Sequence, residues 1–381
     1  MKAGVERIFS DKMNYLANTP EYEVTFITYE QGDHPFAYAL DKRIRHHDLD
    51  ARFFTLGRYG LLRRIHEYFL LKRKVARELT RILAWIKPDI VITTTYTFDV
   101  IDVVMRQPYC NILEAHVCFD HTNLSFEKKG LLDAALAKLK HHYYLKKFNK
   151  ARVLVALTEA DRLKWSRKFS NEVITITNAI TQYPKTVRPY HEREKIVLCA
   201  GRLDRQKGFD MMIDAWRKIY AKHPDWKVNV FGEGPERAAL ERQIKEKIVN
   251  GSFMLCGNTS GIYEEYQRSS VFAFSSRYEG FGLVLAEAMS CGLPCVSFDC
   301  PCGPAEILND KVDGLLVPEG DVDAFAERLD WLISHEEARW AMGRAARESA
   351  RKYSLDIIMP QWTALFDRLC PTATTVPSSS L

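Results

Sequence analysis

The 381 residues predict an α/β protein built from two doubly wound domains with parallel sheets. Three observations carry this. Short apolar, β-branched runs alternate with helix-length segments, which implies parallel strands covered by helices on both faces. The alternation comes as two series, separated by QYPKTVRPYHERE (182–194), which has two prolines and many polar residues, as a linker should. The length also exceeds one ordinary domain and leaves each of two with a substantial core.

In chain order, MKAGVERIFSDKMNYLA is a glycine turn running straight into a helix, without the strand that should feed it. The first domain is therefore expected to lack its first strand. Strands are expected at EVTFIT (23–28), DIVITT (89–94), CNILEA (110–115) and RVLVAL (152–157). The second series has KIVLCA (195–200), KVNVFG (227–232), VFAFSS (271–276) and PCVSFD (294–299). Helices are expected over 61–86, 130–148, 208–222, 235–249 and 321–334. The last helical text, SLDIIMPQWTALFDRL, contains Pro360, which should kink it. The expected limits are a first domain over 1–181, the linker 182–194, a second domain over 195–353, a final helix over 354–370 and a disordered polar tail over 371–381. Ligands of open α/β sheets bind beyond the carboxyl ends of the strands, so two such domains facing each other would form a cleft.

Composition excludes several classes. No apolar run approaches the ~18 residues of a membrane span, and the N-terminus lacks a signal-peptide core. The nine cysteines form no ligand pattern with histidine, so free thiols in a reducing cytoplasm and no metal site are expected. Net charge is asymmetric: residues 1–190 hold 31 Lys/Arg against 21 Asp/Glu, and the remainder 23 against 28. Much of the excess lies in 58–82 and 126–150, both with helix-like apolar spacing. These are either solvated helices with apolar faces in the core or a surface lying against anionic lipid headgroups. No nucleic-acid motif or aromatic platform accompanies the charge.

Three segments carry chemistry. In AGRLDRQKGFDMMIDAW a strand ends at Ala200-Gly201 and a helix begins near Gly208, with Arg202 and Lys207 flanking the turn. A basic pair near a helix N-terminus suits a diphosphate group, although such pairs also occur on plain surfaces. In FGEGPER, Gly234 permits a tight turn or close ligand approach, and Pro235 suits the first helical position. In RYEGFGLVLAEAMSCGLPCV the turn Glu279-Gly280-Phe281-Gly282 precedes a helix starting near Leu283, and Glu287 lies a turn inside it. A fully helical spacing would separate the two carboxylates by ~12 Å, beyond the ~5–9.5 Å of hydrolytic acid pairs. Two carboxylates that bind separate hydroxyl groups fit better.

These motifs, with GPAEIL, DGLLV and ALTEADRLKW, resemble the retaining glycosyltransferases of family 4, which have the GT-B fold of two Rossmann-like domains facing across a cleft. The resemblance runs through most of 151–370 and more thinly through AGVER, KPDIVIT and EAH. It implies that Arg202 and Lys207 neutralise the diphosphate of a nucleotide-sugar donor, with no cofactor or metal required. Gly201, Gly234 and the backbone of Gly280, Phe281, Gly282, Leu283 and Val284 would line the donor site. Glu279 would bind the sugar hydroxyls and Glu287 the ribose. His116 would reach the donor sugar from the first domain, and Gly4 would belong to the loop near phosphate and acceptor. The final helix would cross back to the first domain.

The chain departs from the family at Ala3-Gly4, where a paired-glycine turn is usual, and at Asn178-Ala179, where Asn-Gly is usual. The segment CPCGPAEIL is similar to that of members assigned to bacterial surface-polysaccharide assembly, and CGNTSG (256–261) is a candidate for base contacts. The expectation is a metal-independent retaining transferase with a UDP- or GDP-linked sugar donor and a glycan or lipid-linked acceptor. It would be cytoplasmic, with an anionic membrane surface as a candidate partner. The alternatives are a catalytically impaired nucleotide-sugar-binding protein or another GT-B enzyme such as a sugar-nucleotide epimerase.

Overall fold

The structure is a computed structural model that describes residues 4–95, 101–116, 118–119, 142–248 and 251–371. The chain divides into two compact units. One comprises Met1–Leu157, Asp161–Ile176 and Met359–Leu381, and the other Thr158–Ala160 and Thr177–Ile358.

In the first unit, α1 (Gly4–Ala17) buries Ile8, Met13 and Leu16 along one seam. Two short parallel strands, β1 (Thr25–Thr28) and β2 (Arg45–Asp48), pair, among the described residues, only with each other. After a 3-10 turn over Phe53–Arg58 comes α2 (Leu61–Ile86), which seats Val75, Leu79 and Leu83 on the core at successive i+4 steps. The main sheet runs β3 (Ile90–Thr94), β4 (Cys110–Ala115), β5 (Val153–Ala156) and β6 (Glu172–Thr175), neighbour to neighbour and all parallel. The short α3 (Ile101–Val104) follows β3, and α4 (Glu159–Ser166) connects β5 to β6. Every residue of β5 is buried, which its VLVA text requires of a strand covered on both faces.

The second unit holds one six-stranded sheet. Its strands are β7 (Ile196–Ala200), β8 (Lys227–Phe231), β9 (Phe253–Gly257), β10 (Val271–Phe274), β11 (Cys295–Asp299) and β12 (Gly314–Pro318). They lie in the order β12-β11-β10-β7-β8-β9, all parallel. The chain therefore lays β8 and β9 outward from β7, then returns to place β10 on the opposite side of β7. That reversal is the topological switch point, where open α/β sheets bind ligands. The intervening helices are α5 (Phe209–Ile219), α6 (Arg237–Lys247), α7 (Ile262–Arg268), α8 (Leu283–Ser290), α9 (Pro304–Ile307), α10 (Val322–Ser334) and α11 (Glu336–Ala350). α5 shows why they hold. Met212, Ile213, Trp216 and Ile219 form one buried stripe, and the Trp216 Nε1–H donates to Ser252 Oγ at 2.8 Å. Truncating such a buried tryptophan costs about 3–5 kcal/mol.

The final helix, α12 (Leu355–Leu369), continues through Pro360, and from Met359 onward it belongs to the first unit. There Trp362 is buried and Phe366 packs edge-on against Tyr22 at 5.8 Å. The segment 182–194 lies within the second unit, where the Arg193 guanidinium donates to the carbonyls of Cys291, Ser269 and Gly292.

All eight expected strands are present. β2, β6, β9 and β12 were not expected, and neither was α11 as a separate helix. α6 begins at Arg237 rather than at Pro235, because residues 235–236 form a turn first. Of the helix expected over 130–148, residues 142–148 are helical and the rest lies outside the described residues, as do Ala3 and the tail from 372. Cys110, Cys199, Cys256, Cys291, Cys295, Cys300 and Cys370 carry free thiols. The free-thiol expectation is corrected at Cys118 and Cys302, which do not. No helix among the described residues is long and apolar enough to cross a membrane.

Candidate active site

The loops leaving β7 and β10 meet at the switch point of the second unit. After β7 the chain passes Gly201 and Arg202 into a 3-10 turn over Arg205–Lys207, capped by the Asp204 carboxylate, which accepts from the Lys207 N–H. Gly208 then takes a left-handed conformation (φ 63°) and opens α5. A Cβ at Gly208 would stand 2.0 Å from the Ser275 carbonyl oxygen, so the turn packs backbone against backbone on the end of β10. Only glycine satisfies both conditions.

Lys207 folds back over this turn. A Cβ at Gly201 would touch its Cγ at 3.2 Å, so the missing side chain there is the space the lysine stem occupies. The Lys207 ammonium ends 2.7 Å from Glu279 Oε1, and that oxygen also accepts from Ser276 Oγ at 2.6 Å. The pair is largely enclosed, with side-chain exposures of 18% and 8%. Arg202 remains more exposed, its Nε donating to Asp204 Oδ2 at 2.6 Å. A second clamp joins the same loops. Arg277 forks onto the Asp210 carboxylate at 2.8 and 2.6 Å and donates to the Arg205 carbonyl. Burial alone would lift the Asp210 carboxyl, but the guanidinium outweighs it and holds the group below its usual range.

Gly280, Phe281 and Gly282 lead from Glu279 into α8. Gly282 is the N-cap, with φ 97°, a conformation that suits glycine and brings no capping side chain. The first turn of α8, Leu283 and Val284 included, thus starts without a side chain folded over its N–H groups, which are the ones that bind anions. The Phe281 ring is buried edge-on against Tyr353 at 5.3 Å, so the loop is pinned from below and offers backbone rather than ring. Glu287 lies inside α8 at 1% exposure, and Tyr266 Oη donates to its Oε2 at 3.4 Å. Gly234 belongs to the neighbouring loop after β8, where a Cβ would fall 2.3 Å from the Leu203 carbonyl oxygen. Packing against the loop after β7 therefore accounts for that glycine.

Of the residues expected from sequence, Gly201, Arg202, Lys207, Gly234 and Glu279–Val284 belong to the second unit, on loops or helix starts that follow β7, β8 and β10, and Glu287 lies inside α8 of the same unit. His116 and Gly4 belong to the first. Gly4 opens α1 at an exposed position with nothing within 4 Å of a Cβ. His116 follows β4 and is buried beside Glu114, Nε2 to Oε1 at 3.4 Å. Both Glu114 oxygens accept from the Lys12 ammonium at 2.7 Å. That ammonium also stands 3.6 Å from the centroid of Trp362. Burial would raise the Glu114 carboxyl, but Lys12 and His116 reverse this and bring it to about 2.

Lys12, Glu114, Ser276 and Arg277 were not singled out from sequence. Lys12 did leave a signal. It sits between Ile8 and Leu16 at i+4 spacing, a charge in the middle of an apolar seam. Glu114 is likewise the one charge in an otherwise buried strand.

With this geometry established, the family comparison bears on the second unit. Residues 185–349 match the model of glycosyl transferases group 1. That stretch contains every second-unit residue expected from sequence. The chain is 28% identical to an uncharacterized glycosyltransferase of Haemophilus influenzae, over 95% of this chain and 96% of that one. It is 27% identical to the amylovoran biosynthesis glycosyltransferase AmsD of Erwinia amylovora, over 96% of each. Among solved structures, sucrose-phosphate synthase from Thermosynechococcus elongatus superposes with a TM-score of 0.77 at 18% identity, covering 96% of this chain and 94% of that one. This likeness shows the GT-B fold. TarM of S. aureus, solved with fondaparinux, α-GlcNAc-glycerol and UDP, gives a TM-score of 0.62 at 25% identity over 73% of this chain. The chain spans 55% of the length of that TarM structure.

Proposed function

We propose that this protein is a family 4 retaining glycosyltransferase. It moves a sugar from a nucleotide-diphosphate donor to a glycan or lipid-linked acceptor at the cytoplasmic side of a membrane, in cell-surface polysaccharide synthesis. The observation that carries the reading is the meeting of Lys207, Ser276 and Glu279 at the switch point beside the glycine-capped start of α8. A cation and a set of helix-terminal N–H groups suit the diphosphate. The adjacent carboxylate suits sugar hydroxyls, and Glu287, deeper in α8, suits the ribose. The likeness to AmsD, named for amylovoran biosynthesis, and to TarM, solved with UDP, supports a uridine diphosphate-linked donor and a part in polysaccharide synthesis.

Chemically, Lys207 and Arg202 stabilise the charge that develops on the departing diphosphate, the largest lever in such a reaction. The acceptor attacks the same face that the phosphate leaves, through an oxocarbenium-like state, and its proton passes to the departing phosphate oxygen. No protein nucleophile and no metal take part, so chelation leaves turnover unchanged. The roles of His116 and Gly4 rest on the family resemblance alone.

A thermal-shift screen against uridine, guanosine and adenosine diphosphate sugars tests the reading. One donor should raise the apparent Tm, since binding to the native state stabilises it by mass action. NMR of the product should then show the donor's anomeric configuration retained. Absence of both stabilisation and transfer with every donor overturns the proposal.

A further inference from the structure

The start of α2 runs off its core. Its later half is seated through Val75, Leu79 and Leu83, yet every residue from 61 to 66 is exposed. Leu61 and Leu79 lie about five whole turns apart, as do Ile65 and Leu83, so each pair shares one face. The apolar seam therefore continues past the edge of the core with nothing beneath it among the described residues. Leu61, Leu62, Ile65 and Phe69 are 71%, 84%, 47% and 57% exposed. They span an arc of about 100°. Leu70 and, on the preceding 3-10 turn, Phe54 add two more exposed apolar side chains. Scattered single hydrophobics are normal on a surface, but a contiguous patch of this kind marks a binding face.

The charge around the patch selects its occupant. Residues 58–77 contain seven Lys/Arg and one Glu. Arg63 and Arg64 flank the apolar stripe on its two sides, and Arg73 continues along it. Arg64 donates to the Leu56 and Tyr59 carbonyls, which ties the Phe54 turn to the helix. Cores of protein interfaces are depleted of charge, whereas an interfacial helix combines an apolar face with Lys/Arg flanks. We propose that the first turns of α2, with Phe54, dock on an anionic phospholipid bilayer. Leu61, Leu62, Ile65 and Phe69 enter the headgroup–acyl boundary, and the arginines pair with lipid phosphates. This surface stands independently of the transferase reading.

The test is flotation of the full chain with phosphatidylcholine vesicles, with and without phosphatidylglycerol. The chain should float with the anionic vesicles, weakly with the neutral ones, and less as salt rises. Leu62→Ser with Phe69→Ser should reduce partitioning by at least tenfold. Arg63→Gln and Arg73→Gln should each reduce it roughly fivefold. All these side chains are exposed, so circular dichroism and donor-dependent thermal shifts should match wild type; this separates failure of the surface from failure of the donor site. Equal flotation of wild type and the Leu62/Phe69 variant overturns the proposal. So does light scattering that shows a lipid-free dimer lost in that variant, because the patch would then cover a second copy.

Discussion

Lys207 and Glu279 stand 72 positions apart in the chain and meet as an ion pair at 2.7 Å. Sequence reasoning gives them different parts of one donor, phosphate for the lysine and sugar for the glutamate. The structure binds them to each other first. On the proposed reading, a donor entering this site would exchange that contact for contacts of its own.

Lys207→Ala should lower kcat by about two orders of magnitude, the usual effect of removing one charge-stabilising group. Glu279→Gln should lower it less. The double variant should fall short of the sum of the two losses, because contacting residues are not additive. Steady-state kinetics of all three, with circular dichroism as the fold control, checks this. Near-wild-type transfer by Lys207→Ala would sink the assignment.

Glu287→Gln should act on binding. It keeps the volume of a side chain buried in α8 and removes the charge that suits ribose hydroxyls. The donor KM should rise about tenfold with kcat changed little, the pattern of lost uniform binding. An unchanged KM removes the ribose role.

Two glycines should separate crowding from strain. A Cβ at Gly232 would fall 1.9 Å from the Gly201 carbonyl oxygen, so Gly232→Ala must push the loops after β7 and β8 apart. Gly320 also has positive φ, 75°, but open space around it, so Gly320→Ala should cost only about 1–2 kcal/mol of backbone strain. Gly232→Ala should lower Tm further and raise donor KM as well. Thermal melts and KM values of the two variants provide the comparison.

Acid stability should depend on Glu114. Its carboxyl titrates near 4.5 when unperturbed and at about 2 in the folded chain. Between those values the unfolded state binds more protons, so falling pH favours unfolding. The contribution is complete above 4.5 and is lost as pH drops through about 2. Burial lowers the Lys12 ammonium from its usual alkaline range. Glu114→Gln should flatten the acid limb of a Tm-versus-pH curve and lower Tm at neutral pH, where it leaves a buried ammonium without its counter-charge. Parallel acid limbs for the two proteins would refute it.

Much of this architecture was legible in the text. All eight strands with long apolar runs are present, their ends within two residues of expectation. The four that escaped notice share a physical cause. β6, β9 and β12 are sheet edges and β2 belongs to a two-stranded pair, so none is flanked by a strand on both sides among the described residues. RHHD has no apolar run, EVIT and GLLVP hold only the short runs VI and LLV, and FMLCG alternates buried or half-buried with exposed positions. The apolar face of α2 was read as either core or membrane surface. The structure divides it along its length, with Leu79 and Leu83 buried and Leu61 and Leu62 bare.

The amino-acid sequence by itself placed most of the strands and helices and the glycine turns, and it picked out Lys207, Glu279 and Glu287 as the candidates for the chemistry. Those are local matters of periodicity, cap and turn, and neighbouring residues encode them. Only the tertiary structure decided that β10 lies against β7 and so brings Lys207 to Glu279. Only it closed Lys12 onto Glu114 across 102 residues. Such meetings depend on which strands pair and which helix covers them. That choice is made by packing of the whole core, and no local period records it.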